Sequence, residues 1–244
     1  MKFGVVIYPG SNCDRDVIHV LENILKQDVR ILWHKEKSLD DFTESDCIVL
    51  PGGFSYGDYL RSGAIARFSP IMPAVTDFAN SGGYVFGICN GFQILCESGL
   101  LPGALLRNSN LHFICKNVFI KSVTEYSALT AHLDKDRAYE IPIANAEGRF
   151  YADEKTLNSI ENNNQVLFRY CNESGNITFD TNPNGSLNNI AGICNESRNV
   201  FGMMPHPERA SEEKLGNTDG RLLLSSLIES VSKQEVDVMD DLLR

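Results

Sequence analysis

A short apolar run that ends in a tight, glycine-flanked turn constrains the fold of this 244-residue chain more than any other feature. Residues 84–88 read Tyr-Val-Phe-Gly-Ile and predict a buried strand, and a helix-like segment follows at 92–97. Cys89 lies between them, inside the sequence Gly-x-Cys-x-Gly of residues 87–91. A strand, a sharp turn carrying a nucleophile and a helix together are typical of the nucleophile elbow of α/β enzymes.

The residue types around Cys89 have a physical reason. Side chains two residues before and after a residue in this strained turn would collide, so Gly87 and Gly91 are tolerated best. The helix N-terminus favours a thiolate and aims the Asn90 amide at an oxyanion. With 19 glycines and 7 cysteines, about 0.04 chance occurrences of the pattern are expected. A structural cysteine in a tight turn is therefore the less favoured interpretation.

Through the first hundred residues, short apolar runs typical of strands alternate with segments of helical periodicity. This alternation predicts the fold class. We expect an α/β protein with a mainly parallel sheet, helices on both faces, and an antiparallel extension after about residue 105. The expected strands are 3–8, 29–33, 47–50, 84–88, 114–123, 166–170, 190–194 and 200–203, and a helical pattern covers 218–230. We predict one domain over residues 1–230 and an acidic tail over 231–244, in which a frayed end is favoured over a partner-binding helix.

A nucleophilic cysteine requires a base, and His206 is the best placed of five histidines. Pro207 disfavours helical geometry at His206, so this segment is expected to be extended. Residues two apart in an extended segment point to the same side, so Glu208 can reach the imidazole. His34, which follows the strand at 29–33, is interpreted as a surface residue. An ester hydrolase is disfavoured. In the serine-type α/β-hydrolases the acid precedes the histidine in the chain, whereas here Glu208 follows His206.

A second Gly-rich turn follows the strand at 47–50. It reads Pro51-Gly52-Gly53, and Gly53 is the expected second oxyanion donor beside Asn90. Alone, this turn would be an ordinary βα connection. Cys13 also lies in a polar loop, where a structural thiol is favoured over a redox sensor because no histidine is placed beside it.

Composition excludes several classes of function. The net charge is −10 without a Lys- and Arg-rich run, which argues against nucleic acid and anionic membrane as partners. Seven cysteines without a Cys-x-x-Cys pair suit neither a zinc site nor a disulfide framework, so no metal is expected. No apolar stretch approaches the 18 residues of a membrane span, and free thiols indicate a reducing compartment. We therefore expect a cytoplasmic protein.

Three motifs taken together resemble the class I (triad) glutamine amidotransferases: Pro-Gly-Gly at 51–53, Gly-x-Cys-x-Gly-x-Gln at 87–93 and His-Pro-Glu at 206–208. Residues 9–16, 52–61 and 218–223 are similar to one branch of that family, the glutaminase subunits of phosphoribosylformylglycinamidine synthases. This resemblance extends over about residues 2–230.

The resemblance implies a reaction on L-glutamine. Cys89 attacks the side-chain amide and forms a glutamyl thioester, His206 moves the proton, and Glu208 orients His206. By the same resemblance, the Gly53 and Asn90 amides hold the oxyanion. Gln93 helps to seat the glutamine.

The resemblance also implies partners. Ammonia passes to a synthetase subunit, which uses ATP to convert phosphoribosylformylglycinamide to phosphoribosylformylglycinamidine in de novo purine biosynthesis, and a small third subunit completes the complex. This chain has no Gly-x-x-x-x-Gly-Lys-Ser/Thr loop, so ATP and Mg²⁺ are expected on the synthetase and no cofactor on this chain. We expect Cys89 to be poorly organised until a partner docks.

One departure from the family pattern concerns residues 144–149. They read Ala-Asn-Ala-Glu-Gly-Arg where the family usually has Ala-His-Gly-Glu-Gly-Arg, so Asn145 and Ala146 could change glutamine affinity or coupling to the partner.

Two alternatives stay open: a class I amidotransferase with another acceptor, and a catalytically silent subunit that only organises a complex.

Overall fold

The computed structural model describes the backbone of residues 1–242 and the side chains of residues 1–233. The strands are β1 (Lys2–Ile7), β2 (Asp28–Trp33), β3 (Cys47–Leu50), β4 (Tyr84–Ile88), β5 (Ala104–Leu106), β6 (Ile114–Ser122), β7 (Ala138–Asn145), β8 (Arg149–Tyr151), β9 (Val166–Cys171), β10 (Ile190–Cys194) and β11 (Val200–Met203). The helices are α1 (Asp14–His19), α2 (Met72–Asn80), α3 (Asn90–Glu97), α4 (Glu154–Asn162) and α5 (Asp219–Leu242).

Nine of these strands form one mixed sheet in the order β2-β1-β3-β4-β11-β10-β9-β6-β7. Pairing is parallel from β2 through β11 and antiparallel from β11 through β7. The α/β prediction with a parallel sheet and an antiparallel extension is therefore confirmed. The remaining strands, β5 and β8, form a separate antiparallel pair.

Burial of the central strands shows why the first half of the chain reads as continuous apolar runs. Every residue of β3 and β11 is buried, and four of the five residues of β4 are buried. A strand buried on both faces needs apolar side chains in both directions, so it shows no alternation. Helix α3 packs on this part of the sheet, and its Phe92 ring stacks on Phe150 of the separate strand β8 with ring centroids 6.2 Å apart.

Strand β7 is the longest strand that the sequence patterns did not predict. Its residues alternate between partly buried and buried, but Glu140, Pro142 and Asn145 interrupt the apolar pattern. Proline is tolerated because β7 lies at the edge of the sheet, where one side of the strand needs no ladder partner. Helices α2 and α4 were also not predicted.

Helix α5 crosses the predicted domain boundary at residue 230 and continues to Leu242. The single domain over 1–230 stays a prediction. The side chains of the acidic tail lie outside the described residues from position 234. Within residues 1–242, no helix has both the length and the apolar character that crossing a membrane requires.

Candidate active site

Three loops that leave adjacent strands of the sheet converge at one edge. The Pro51-Gly52-Gly53 turn follows β3, Cys89 follows β4, and the segment that leads to His206 follows β11. These strands are neighbours in the order β3-β4-β11 and run parallel, so their carboxyl ends meet. Sites in open α/β sheets form at this edge. The fold thus brings together the three motifs that the sequence placed far apart.

The turn at Cys89 has the strained geometry expected of a nucleophile elbow. Cys89 has a φ of 50° and a ψ of −103°, a backbone conformation that is rare for a residue with a side chain. A methyl group on Gly91 would overlap the carbonyl of Leu50, and one on Gly87 would come within 2.6 Å of the Gly91 carbonyl oxygen. Both flanking glycines are required by packing. The prediction of a strained strand-to-helix turn is confirmed.

His206 and Glu208 form a buried pair. The imidazole Nδ1 lies 2.6 Å from the carboxylate Oε1, and both residues are 1% exposed. His206 is non-helical with φ −104° and ψ 88°, as Pro207 predicted, and its amide donates to the Pro142 carbonyl on β7. The contact with Glu208 is made through a one-turn 3-10 helix, Pro207–Ala210, and not through an extended segment.

The electrostatics of this pair fix where a proton rests. Burial on its own lowers the pKa of His206, but the negative charge of Glu208 and the neighbouring thiols of Cys89 and Cys13 outweigh it. The pKa of His206 is therefore raised well above its ordinary value. Within residues 1–233 no group satisfies hydrogen-bond geometry toward its buried Nε2. The ring is arranged to hold a proton beside the thiols.

The interpretation of Cys13 as a loop thiol without a nearby histidine is wrong. Cys13 is 2% exposed and lies against the His206 imidazole, with one ligand atom each from Cys13, His206 and Glu208 within 4.8 Å of the others. Gly52 lies close to both side chains. A methyl group on Gly52 would lie 2.6 Å from His206 Cε1 and 3.1 Å from the Cys13 sulfur. No sequence pattern reveals a contact between residues 193 positions apart.

The two expected oxyanion donors flank the elbow. The amides of Gly53 and Asn90 donate to no carbonyl in the part of the chain that the structure describes. The Asn90 side chain fixes their relative position, since its Oδ1 accepts from the Ser55 amide at 3.0 Å. Helix α3 is thereby tied to the loop that follows β3.

Gln93 connects this site to the segment with the unusual sequence. Its Oε1 accepts from Asn90 Nδ2 at 2.9 Å, and its Nε2 donates to the Glu147 carbonyl at 2.7 Å. The Glu147 carboxylate in turn accepts from the Ser62 amide at 3.1 Å. Gln93 therefore ties the start of helix α3 to the 145–149 segment.

Asn145, where the family pattern has histidine, is buried, and the residue before it contacts the nucleophile. It is 4% exposed, and within residues 1–233 neither its Nδ2 nor its Oδ1 has a hydrogen-bond partner. The preceding carbonyl, on Ala144, lies 3.8 Å from the Cys89 sulfur. The departure thus begins one residue after a backbone contact with the Cys89 sulfur.

The interpretation of His34 as a surface residue is also wrong. It is 5% exposed, and its Nδ1 lies 2.8 Å from the Tyr56 hydroxyl, which also contacts the Ser69 hydroxyl at 2.9 Å. Burial and the charge of Lys35 lower the pKa of His34. His34 therefore anchors the loop after Gly53 in its neutral form.

Comparison with known proteins agrees with this geometry. A family model described as the CobB/CobQ-like glutamine amidotransferase domain matches residues 1–220. The phosphoribosylformylglycinamidine synthase subunit PurQ of Moorella thermoacetica is 56% identical over 229 residues, which cover 94% of this chain and 96% of that protein. The PurQ protein of Acaryochloris marina is 55% identical over 97% of this chain and 99% of that protein.

The chain belongs to the glutamine amidotransferases.

Among solved structures, a chain of the PurLQS structure from Thermotoga maritima superimposes on this amidotransferase with a TM-score of 0.81 and 43% identity, covering 93% of this chain and 97% of that one. A putative GMP synthase component from Thermoplasma acidophilum has a TM-score of 0.58 at 16% identity, covering 97% of both chains. The second likeness shows the fold alone. The first confirms the resemblance to the PurQ branch of the family.

Replacing Gly52 by alanine should disable the site without unfolding the sheet. The added methyl group would meet His206 Cε1 at 2.6 Å and displace the ring from Cys89. A displacement of about 1 Å costs on the order of 100-fold in positioned chemistry. We expect alkylation of Cys89 by iodoacetamide, followed by peptide mass spectrometry, to slow at least tenfold at neutral pH. Gly99→Ala adds its methyl group in open space at a residue with a φ of 78°, so it introduces backbone strain without a contact at the site and should leave the rate unchanged.

Replacing Glu208 by glutamine should lower the pKa of His206, because the carboxylate that stabilises the charged ring is removed. A raised pKa in the folded chain stabilises it below the ordinary value of about 6.5, and this contribution is lost as the pH rises through the raised pKa. The melting-temperature difference between wild type and variant should therefore be larger at pH 6 than at pH 9, and NMR titration of the ring should show the lowered pKa. Glu212→Gln, which removes the partner of exposed His19, is the matched control.

An unchanged ring titration in Glu208→Gln would contradict this account of the pair. Equal effects of the Glu208 and Glu212 substitutions would do the same, because an exposed ion pair contributes little.

Proposed function

We propose that this chain is the glutaminase subunit of phosphoribosylformylglycinamidine synthase, which hydrolyses glutamine and supplies ammonia to a synthetase subunit. The observation that carries the proposal is the assembly of Cys89, His206 and Glu208 at the carboxyl ends of adjacent parallel strands. Nearly full-length similarity to proteins named as PurQ subunits supports the same acceptor.

The reaction begins when the Cys89 thiol gives its proton to His206. The sulfur attacks the δ-carbon of the glutamine side chain, and the carbonyl oxygen becomes an oxyanion. Collapse breaks the C–N bond, and the leaving nitrogen takes the proton from His206 and departs as ammonia. Water then attacks the glutamyl thioester with His206 as base, which releases glutamate and returns the thiol. Glu208 stabilises the charged ring throughout.

Stabilisation of the oxyanion is assigned to the amides of Gly53 and Asn90. Both N–H groups lack a carbonyl partner within residues 1–242, so they are available to a ligand. Gln93 contributes indirectly, since both ends of its amide are bound by Asn90 and Glu147. It seats the substrate by holding the segment that covers the pocket.

The loop after Gly53 suits a docked synthetase. Tyr59 is 90% exposed and Leu60 is 71% exposed, although both are large and apolar or amphipathic. This exposed pair lies between Ser55 and Ser62, which bond to Asn90 and Glu147 at the site. Apolar side chains exposed beside a reacting centre mark a binding surface.

Docking of the synthetase would control the access of glutamine to Cys89. The three catalytic side chains already converge in the single chain, but Cys89 is only 5% exposed, and the Ala144 carbonyl, which precedes the 145–149 segment, lies 3.8 Å from its sulfur. We infer that docking moves this segment and opens the pocket, in place of the disorganised cysteine expected from sequence. Motions of covering loops commonly set turnover in this way.

The proposal assigns ATP and Mg²⁺ to the synthetase, with no cofactor on this chain and a small third subunit completing the complex. It also places the protein in the cytoplasm. All seven cysteines are unpaired thiols, which a reducing compartment maintains.

Covalent labelling tests the catalytic assignment directly. A diazoketone analogue of glutamine should modify Cys89 alone, and excess glutamine should suppress the adduct. His206→Ala should slow labelling by about 100-fold or more, because general acid–base groups contribute 10²–10⁴-fold. Peptide mass spectrometry locates the adduct, and Cys115→Ser, which removes an exposed thiol, is the control. An adduct on Cys13 or Cys115, or one that glutamine does not suppress, would overturn the assignment.

The docking surface has its own test. Replacing Tyr59 and Leu60 by serine should weaken binding to the synthetase at least tenfold and abolish glutamine-dependent formation of phosphoribosylformylglycinamidine. Synthesis supported by free ammonia should continue, since the synthetase is unchanged. Phe179→Ser is the matched control, because Phe179 is 91% exposed away from the loop after Gly53. Equal binding by the wild type and the double variant would remove this surface from the interface.

A further inference from the structure

The segment of residues 9–16 has no step in the proposed reaction, although it is one of the three that resemble the glutaminase branch of the family. It connects β1 to α1, and Cys13 is the residue that precedes the first turn of α1. Because β1 pairs with β3 in parallel, this segment leaves the sheet beside the turn that carries Gly52 and Gly53. Its contacts at that edge reach both the turn and the base.

The backbone of the segment holds the turn in place. The Gly52 carbonyl accepts from the Cys13 amide at 3.1 Å, and the Phe54 amide donates to the Gly10 carbonyl at 2.9 Å. A methyl group on Gly53 would come within 2.8 Å of the Gly10 carbonyl oxygen, so the two loops lie in direct backbone contact. The turn with the proposed oxyanion donor is therefore bonded on both sides of Gly53 to one neighbouring segment.

The side chain of Cys13 reaches the base on the same side. A methyl group on Gly52 would lie 3.1 Å from the Cys13 sulfur and 3.3 Å from Nδ1 of His206, so the sulfur and the ring meet over this glycine. The sulfur, a ring nitrogen and a Glu208 oxygen all lie within 4.8 Å of one another. All three residues are buried, so bulk water does not compete for these contacts. The ring is therefore held by Cys13 as well as by Glu208.

The contact with Cys13 favours the charged ring. Burial lowers the pKa of His206, the charges of Glu208 and Cys89 raise it, and hydrogen bonding with Cys13 raises it further. A sulfur is a weak acceptor for an N–H group, and a group that hydrogen-bonds to the charged form favours that form. Loss of the Cys13 sulfur would therefore lower the pKa of the ring as well as free its position.

A second contact joins the same segment to the loop of the base. Arg209, whose amide donates to the His206 carbonyl at 3.1 Å, pairs through its Nε with Asp16 Oδ2 at 3.2 Å. Arg209 is a cation close to Cys13 and Glu208, and its pairing with Asp16 offsets its charge. Residues 13–16 thus hold the loop of the base at two points.

We propose that Cys13 is a positioning residue for the catalytic base: its sulfur holds the His206 ring, and its amide holds the carbonyl of Gly52. The base and the proposed oxyanion donor of Gly53 then keep one fixed separation while Cys89 reacts. Such a link matters because misplacement by about 1 Å costs on the order of 100-fold in rate. The effect on glutamine turnover rests on the proposed glutaminase function, whereas the effect on the ring does not.

Substitution of Cys13 by alanine tests the proposal on the full chain. In Cys13→Ala, NMR titration should show a lowered His206 pKa, and labelling of Cys89 by the diazoketone analogue of glutamine should slow at least tenfold at neutral pH. The alkaline decline of labelling should move to lower pH, because the ring loses its proton sooner. Cys13→Ser, which keeps a polar acceptor, should give intermediate values. Cys47→Ala removes a fully buried thiol at the start of β3, so it should leave the ring titration unchanged.

Steady-state kinetics separate positioning from binding. In complex with the synthetase, Cys13→Ala should lower kcat for glutamine at least tenfold and leave KM within about twofold of wild type. The reason is that Cys13 acts through the ring of His206 and not on glutamine. A raised KM with an unchanged kcat would overturn the positioning role.

An unchanged ring titration in Cys13→Ala would also overturn the proposal, as would the same shift in Cys47→Ala. If Cys13→Ala does not fold, Cys13→Ser decides, and a ring pKa equal to that of the wild type refutes the contact. A chain whose ring titration responds to Cys13 as expected, but which never hydrolyses glutamine, would lose the proposed function and keep the link between Cys13 and the ring.

Discussion

The close approach of Gly91 to the carbonyl of Leu50 is the constraint on which the site depends. Only a residue without a side chain lets the start of α3 lie directly on the end of β3. This approach sets Cys89 in its strained conformation and brings the Asn90 amide beside the Gly53 turn. The nucleophile and both proposed oxyanion donors therefore share one backbone contact. The base enters separately, from β11, and is aligned with them by strand order.

Sequence reasoning succeeded where the determinants are local. The elbow is specified by five consecutive residues and its strand, and the His206–Glu208 contact by three residues that include Pro207. The parallel pairing of the first strands follows from the α/β pattern. These features were predicted because short-range geometry and the direction of parallel strands leave few alternatives.

Features that depend on distant residues were missed. The Cys13–His206 contact joins loops 193 positions apart, and the burial of His34 results from Tyr56 and Ser69 folding over it. Strand β7 is hidden because its pattern includes Glu140 and Pro142, whose environment is set by other segments. Gln93 was assigned to the substrate, and its bonds to Asn90 and Glu147 became visible only when the loops were placed.

The edge position of β7 has a consequence for solubility. An exposed edge strand offers unpaired amides and carbonyls to strands of other molecules, which is a common start of aggregation. Here Pro142 has no N–H to offer and its carbonyl is taken by the His206 amide, while Asp219 and Asn217 occupy the amide and carbonyl of Glu140. The segment from His206 to Asp219 therefore also covers this edge of the sheet against foreign strands. A substitution that loosened this segment would expose the chain to self-association as well as inactivate it.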